Sequence, residues 1–386
     1  AALVSAGNLD GARAEIGAVL ASDPANVDAL SMGAELARFA GDEKSRRSYL
    51  DRALKASPED PAVLSAWGDL YLEMKNWKKA EDFFSRSVAS DPNNPDAALG
   101  LGKALYRQGK YVEAEIRFSE AVELDPNSPL AYSDRSRARY QLGKYAEAEA
   151  DLDAAILKDP NSSWLFLDRG RYRLDKGNKV GAAADFDEAI RLDPGYFLSY
   201  AYRGGIREET GQDEAALQDY RKVISLYPEY WYAYESGGAT AYRLGLWAES
   251  AANFQKAFAA APDHYEYAIA ASLALWRAGK PKDAKTYAGS IAPRIDRGKY
   301  GIYWNMLRLL QDQNDATIEL EMKIQAEKQL DLKCAMLFYL AEYWICRGKT
   351  ELGKKYLTYA LDMGRKDCLE YRLIAAEMNR LAGRNG

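Results

Sequence analysis

Few residues of this chain could do covalent chemistry. His264 is its single histidine, so any mechanism that needs an imidazole must use it. It follows Pro262 and Asp263 in a turn-forming stretch, where exposure is expected. The three cysteines, Cys334, Cys346 and Cys368, are odd in number and lack Cys-x-x-Cys spacing, so they signal neither a disulfide framework nor a zinc knuckle. Cys334 and Cys346 on one helix would lie about 18 Å apart along its axis, and buried packing thiols are the expectation there. There is no Gly-rich phosphate loop, no His-Glu-x2-His and no Gly-x-Ser-x-Gly. Carboxylate neighbours such as Glu208-Glu209 are common on helix surfaces. No catalytic residue, metal or cofactor is therefore expected.

Two ladders of charge carry more information. Arg135, Arg169 and Arg203 recur at one constant interval, and each is followed at a second, shorter constant interval by an aspartate: Asp151, Asp185 and Asp219. Where the arginine is missing, at Trp67, Leu101 and Gly237, the later position holds Phe83, Arg117 and Asn253, so the two columns change together. Structural ion pairs with bidentate geometry are the reading. A second ladder, Lys103, Arg137 and Arg171, shows no acidic partner at a fixed spacing. Tyr106, Arg107, Tyr140 and Trp164 lie near it, and related columns continue through Tyr202, Tyr232, Tyr242 and Trp276. Arg, Tyr and Trp are the usual energetic anchors of protein interfaces, so this set forms the candidate partner-binding surface. Its competing reading is a solvated basic face with tyrosines at the core edge.

The elements that position these ladders follow from proline and glycine. Eight of the 13 prolines, from Pro24 through Pro58, Pro92, Pro126, Pro160, Pro194 and Pro228 to Pro262, are evenly spaced at the interval of the arginine ladder, which marks an internal repeat. Pro61, Pro95 and Pro129 form a second ladder at that period. Glycines run in parallel at Gly7, Gly41, Gly109, Gly143, Gly177, Gly211, Gly245 and Gly279, with Lys75 as the exception. Two punctuation marks per unit imply two helices, one ending at the glycine and one before the proline. Small residues recur at Gly68, Gly102, Ser136, Gly170, Gly204 and Gly238, and a second small column runs through Ala80, Ala114, Ala148, Ala182 and Ala216. Four residues beyond the latter stand Phe84, Phe118, Leu152, Phe186 and Tyr220, so holes and knobs share one helical face.

Units such as Trp67-Gly68-x2-Tyr71…Ala80…Phe84…Pro92 resemble the tetratricopeptide repeat family. The resemblance spans about 290 residues: a partial unit at 1–26, units starting at 27, 61, 95, 129, 163, 197 and 231, and an eighth from 265 to 298 without the terminal proline. It implies an all-α superhelical solenoid with a concave groove lined by the first helix of each unit, in which the second ladder would lie. The groove would pass from a basic aromatic half to a more apolar aromatic one. Residues 299–386 are expected as degenerate helical repeats with a C-terminal capping helix, continuous with the solenoid. Thr317 to Leu330 reads as a charged helix, 334–363 as a last unit and about 367–382 as the cap. Some relatives grip a terminal carboxylate with Lys and Asn one turn apart; here those positions hold Ser31/Glu35, Ser65/Asp69, Leu99/Lys103, Ser133/Arg137 and Leu167/Arg171, so that clamp is absent.

Composition narrows the partner. Across 386 residues, 52 Lys and Arg against 57 Asp and Glu give a formal charge of −5, evenly spread, which argues against nucleic acid. No apolar run reaches the roughly 18 residues of a membrane span. The expectation is a non-enzymatic scaffold holding a peptide or protein segment of acidic character. Two alternatives stand beside it: a self-assembling subunit that uses the C-terminal helices, where Tyr300, Tyr303, Trp304 and Met306 cluster, or a small hydrophobic ligand among Trp164, Tyr202 and Tyr232. The odd thiol count leans toward a reducing compartment, whereas a leader or lipid-anchored segment ahead of Ala1 would place the protein outside one.

Overall fold

The computed structural model describes residues 9–312, 316–365 and 369–383, and among them are 22 α-helices and no strand. The chain forms two compact units that divide after Gly177. The first holds α1 (Leu9–Ser22), α2 (Val27–Phe39), α3 (Glu43–Ala56), α4 (Pro61–Glu73), α5 (Trp77–Ser90), α6 (Pro95–Arg107), α7 (Tyr111–Leu124), α8 (Pro129–Gln141), α9 (Tyr145–Lys158) and α10 (Ser163–Asp175). The second begins with α11 (Lys179–Leu192), α12 (Phe197–Glu209), α13 (Asp213–Leu226), α14 (Trp231–Arg243), α15 (Trp247–Ala260), α16 (Tyr265–Arg277) and α17 (Pro281–Ile291). After a short 3-10 turn it continues with α18 (Arg297–Leu310), α19 (Ala316–Ala326), α20 (Leu330–Cys346), α21 (Thr350–Asp362) and α22 (Leu369–Leu381). The charged helix expected to reach Leu330 stops at Ala326, and Leu330 already opens α20.

Local chemistry sets these boundaries. Pro61, Pro95 and Pro129 occupy the first helical turn, where a missing N–H costs no hydrogen bond. Ahead of them, Asp60, Asn94 and Ser128 accept hydrogen bonds from exposed N–H groups of that turn. The first helix of each pair ends in a left-handed residue, for example Gly109 at φ 77°, and Lys75 adopts the same conformation at φ 56° despite its Cβ. From α3 to α15 the second helix ends on a residue turned out of the helical region, such as Asp91, φ −137°, because the following proline disfavours that region.

Packing within each pair follows the small and large columns. A Cβ on Gly68 would lie 2.7 Å from the Phe84 ring, and one on Gly102 2.6 Å from Phe118. Phe84, Phe118, Phe186 and Phe254 are all buried, as are the small residues one turn before them. In the second unit one apolar cluster runs from Ala239 through α16 and α18 into Phe338, Leu340 and Ile374 of the C-terminal helices. There α20 packs on α16, and α22 on α14.

Candidate functional site

In the first unit, the C-terminal halves of α4, α6, α8 and α10 line an open groove of about 810 Å³. Lys103, Tyr106, Arg107, Arg137, Tyr140 and Arg171 lie along it, and Trp164 flanks it, its ring 5.6 Å from the Arg137 guanidinium. Side chains one helical turn apart, repeated from helix to helix, produce this alignment.

The expectation that the basic ladder has no acidic partner at a fixed spacing is wrong. Arg137 donates through Nη1 to Asp134 (3.1 Å) and through Nη2 to Asp168 (2.9 Å). Lys103 Nζ is 3.7 Å from Asp134, and Arg171 Nη1 donates to Asp168 at 3.4 Å. The order is therefore Lys103, Asp134, Arg137, Asp168, Arg171. From Lys103 to Asp134 and from Arg137 to Asp168 the chain advances by one repeat less one helical turn, a spacing that hides the contacts. The signal available in the sequence was that Asp134 and Asp168 themselves stand one full repeat apart. Both carboxylates are buried beneath more exposed cations, and burial raises the Asp134 carboxyl above its ordinary range against the pull of Lys103 and Arg137. With Lys75 and Arg107 the groove has five cationic residues against four acidic ones, Glu73, Asp134, Asp168 and Asp175. It presents hydrogen-bond donors at its surface, yet its net charge is small.

The aromatic residues are held from behind. Tyr140 stacks on Tyr172 with centroids 4.2 Å apart and meets Tyr145 edge-on. Its hydroxyl donates to Asp175, which pushes the phenol up to about 12. Tyr106 leans on Tyr111, and Arg107 lies over Trp77. Asp175, Glu73, Trp77 and Tyr172 are groove residues that column reading did not single out.

The profile of the tetratricopeptide repeat family matches residues 2–61, 65–129, 133–197, 167–231 and 238–298. The chain belongs to this family. No curated protein matches it in sequence. Among solved structures it is similar to a chain of the APC/C hetero-tetramer Cut9-Hcn1, with TM-score 0.51 and 18% identity over 68% of this chain and 52% of that one. This chain thus spans about half the length of that relative. It is also similar to PilF of Pseudomonas aeruginosa, with TM-score 0.48 and 20% identity over 53% of this chain and 93% of that one. The likeness is one of fold.

Within the tetratricopeptide units, the arginine ladder is built into helix packing. Arg135 donates to both oxygens of Asp151 (3.0 and 2.7 Å), and Arg203 to both oxygens of Asp219 (3.1 and 2.6 Å). Arg169 lies in the first unit and Asp185 in the second. A further contact reaches back along the chain, from Arg169 to Asp153 (2.7 Å) and from Arg203 to Asp187 (2.6 Å). Arg139 and Arg207, one turn beyond Arg135 and Arg203, add bonds to Asp151 and Asp219.

The second unit treats the same repeat columns differently. Tyr242 occupies the column of Tyr106 and Tyr140, but it is 2% exposed and its hydroxyl donates to Glu342 of α20 at 2.5 Å. It is a core residue, not a groove anchor. Trp276 in that column is half-buried against Tyr343. Tyr202 stacks on Phe186, while Tyr232 is exposed and lies against Trp231 in a shallow depression of about 250 Å³ with Glu208, Tyr230 and Arg372. The suggested ligand pocket of Trp164, Tyr202 and Tyr232 draws on residues of different units.

Met306 is buried, while Tyr300, Tyr303 and Trp304 are partly buried and pack against the edge of the same core. Cys334 is buried; burial, with the charge of Glu342, pushes the Cys346 thiol up to about 12, where thiolate chemistry is suppressed. Cys368 and Gly7 lie outside the described residues. His264 caps the start of α16, with Nδ1 2.7 Å from Glu266. Among the described residues no three His, Cys, Asp or Glu side chains gather as a metal site, and no helix is long and apolar enough to cross a membrane.

Proposed function

We propose that the first unit is a non-enzymatic receptor for a peptide or protein segment, bound in the groove of α4, α6, α8 and α10. The observation that carries this reading is the row Lys103, Arg137 and Arg171, anchored from below by Asp134 and Asp168 and interleaved with Tyr106 and Tyr140. Cations already held in place lose little side-chain entropy on binding, and the rings offer contact area at low entropic cost. A segment with carboxylates fits the donor surface, because Asp134 and Asp168 are buried and leave Lys103, Arg137 and Arg171 outermost.

Charge reversal tests this. Arg137→Glu would set three carboxylates together and endanger the fold, so Arg107→Glu with Arg171→Glu is the suitable pair, on more exposed positions. In affinity capture from native lysate, the wild-type chain should retain proteins that the double variant loses, with unchanged helical circular dichroism. An identical set of retained proteins would overturn the reading.

A further inference from the structure

We infer that the groove of the first unit takes an amphipathic α-helix whose contact face sets carboxylates beside aromatic side chains, in the manner in which α20 occupies the same repeat columns of the second unit. This inference rests on the groove reading above and names its occupant.

The repeat supplies the comparison. The column of Lys103, Arg137 and Arg171 continues as Gly205, Ala239 and Leu273; that of Tyr106 and Tyr140 continues as Leu174, Glu208, Tyr242 and Trp276; that of Arg107 continues as Gln141, Asp175, Glu209, Arg243 and Arg277. Along α14 and α16 of the second unit these columns are covered from within, whereas at Gly205 and Glu209 of α12 they are not. Ala239 and Leu273 are fully buried in the cluster that contains Phe338 and Leu340 of α20. Phe338 meets Tyr242 edge-on at 6.0 Å, Glu342 accepts from the Tyr242 hydroxyl and lies 3.7 Å from Arg277, and Tyr343 meets Trp276 edge-on at 5.9 Å. One stretch of helix thus delivers an aromatic ring, a carboxylate and a second ring to Tyr242, Arg277 and Trp276.

In the first unit the same columns supply Tyr106, Tyr140 and Arg107, followed by Gln141 and Asp175, and line an open groove. Where α14 and α16 have Ala239 and Leu273, the first unit has Lys103, Arg137 and Arg171. A helix seated there meets three cations in place of an apolar floor, so it must carry more carboxylates than the single Glu342 that α20 directs at Tyr242 and Arg277. Helical geometry also suits the surface: α20 has 17 residues and so is about 25 Å long, enough to cross several first helices.

The test is selection from two displayed peptide libraries of the length of α20 against the immobilised full chain. One library is held helical in a helical-hairpin scaffold, and the other carries a proline at every fourth position. The expected result is enrichment from the helical library of clones with Glu or Asp beside an aromatic residue. These should bind the wild-type chain at least about tenfold more tightly than the Arg171→Glu or Arg107→Glu chains, each shown to be folded by circular dichroism. Groove-dependent clones from the proline library alone would overturn the helical occupant and leave the groove reading standing. Clones indifferent to both substitutions, or no enrichment from either library, would count against both.

Discussion

Asp151 accepts from three guanidinium N–H groups, two of Arg135 and one of Arg139, and is itself buried. Removing this carboxylate leaves the confined Arg135 without its bidentate partner and Arg139 with Glu115 alone. Asp151→Ala should therefore lower stability by about 3–5 kcal/mol in denaturant unfolding. Asp153, half exposed in its pair with Arg169, provides the contrast: Asp153→Ala should cost no more than about 1 kcal/mol. Equal costs would show that burial does not govern these pairs. Much of this was legible, since the arginine and aspartate columns of Arg135 and Asp151 keep one spacing from repeat to repeat. The contact of Arg137 with Asp168 was not, because it joins different repeats and its meaning depends on which turns of adjacent first helices face each other.

Between elements, the fit of Phe84 decides how closely α4, α5 and α6 approach. Its ring fills the space a Cβ would need on both Gly68 and Gly100, at 2.7 and 2.2 Å. Gly100→Ala should cost about 1–3 kcal/mol through overpacking, and Phe84→Leu in the same chain should recover part of that loss, read from the midpoint of urea unfolding. Gly205, inside α12 with nothing near its missing Cβ, is the control: alanine there should be neutral or stabilising by up to about 1 kcal/mol. The columns announced Gly68 and Phe84 because both recur at the repeat period. Gly100 belongs to no small-residue column, and its need for glycine appears only when the next helix is in place.

At the scale of the whole molecule, the C-terminal helices bring a carboxylate into the interior of the second unit. Glu342 is fully buried, and desolvation raises its carboxyl above the ordinary 4.5 despite the opposing charge of Arg277. The folded state then holds this proton more tightly than the unfolded chain, so stability falls as pH rises from about 4.5 through the folded value. One such group contributes at most about 1.4 kcal/mol per pH unit. Glu342→Gln keeps an acceptor for the Tyr242 hydroxyl and removes the titration. Its melting temperature should drop less between pH 5 and pH 8 than that of the wild type; an unchanged drop would mean that Glu342 does not titrate there. The contacts from Tyr242 to Glu342 and from Arg277 to Glu377 each join positions 100 apart in the chain, which is no multiple of the repeat. Periodicity therefore could not say that Tyr242 is interior, nor that the aromatic cluster near Tyr303 packs against the core edge.

By itself the sequence determined the paired helices, their caps, the matching of holes to knobs and the Arg135 and Arg203 pairs, because each depends on neighbours that recur with the repeat period. Only the tertiary structure decided which stretch of the repeated columns stays open to solvent and which is covered. That choice depends on where α20 and α22 return against α14 and α16, and such a return is set by packing between segments that share no spacing in the chain.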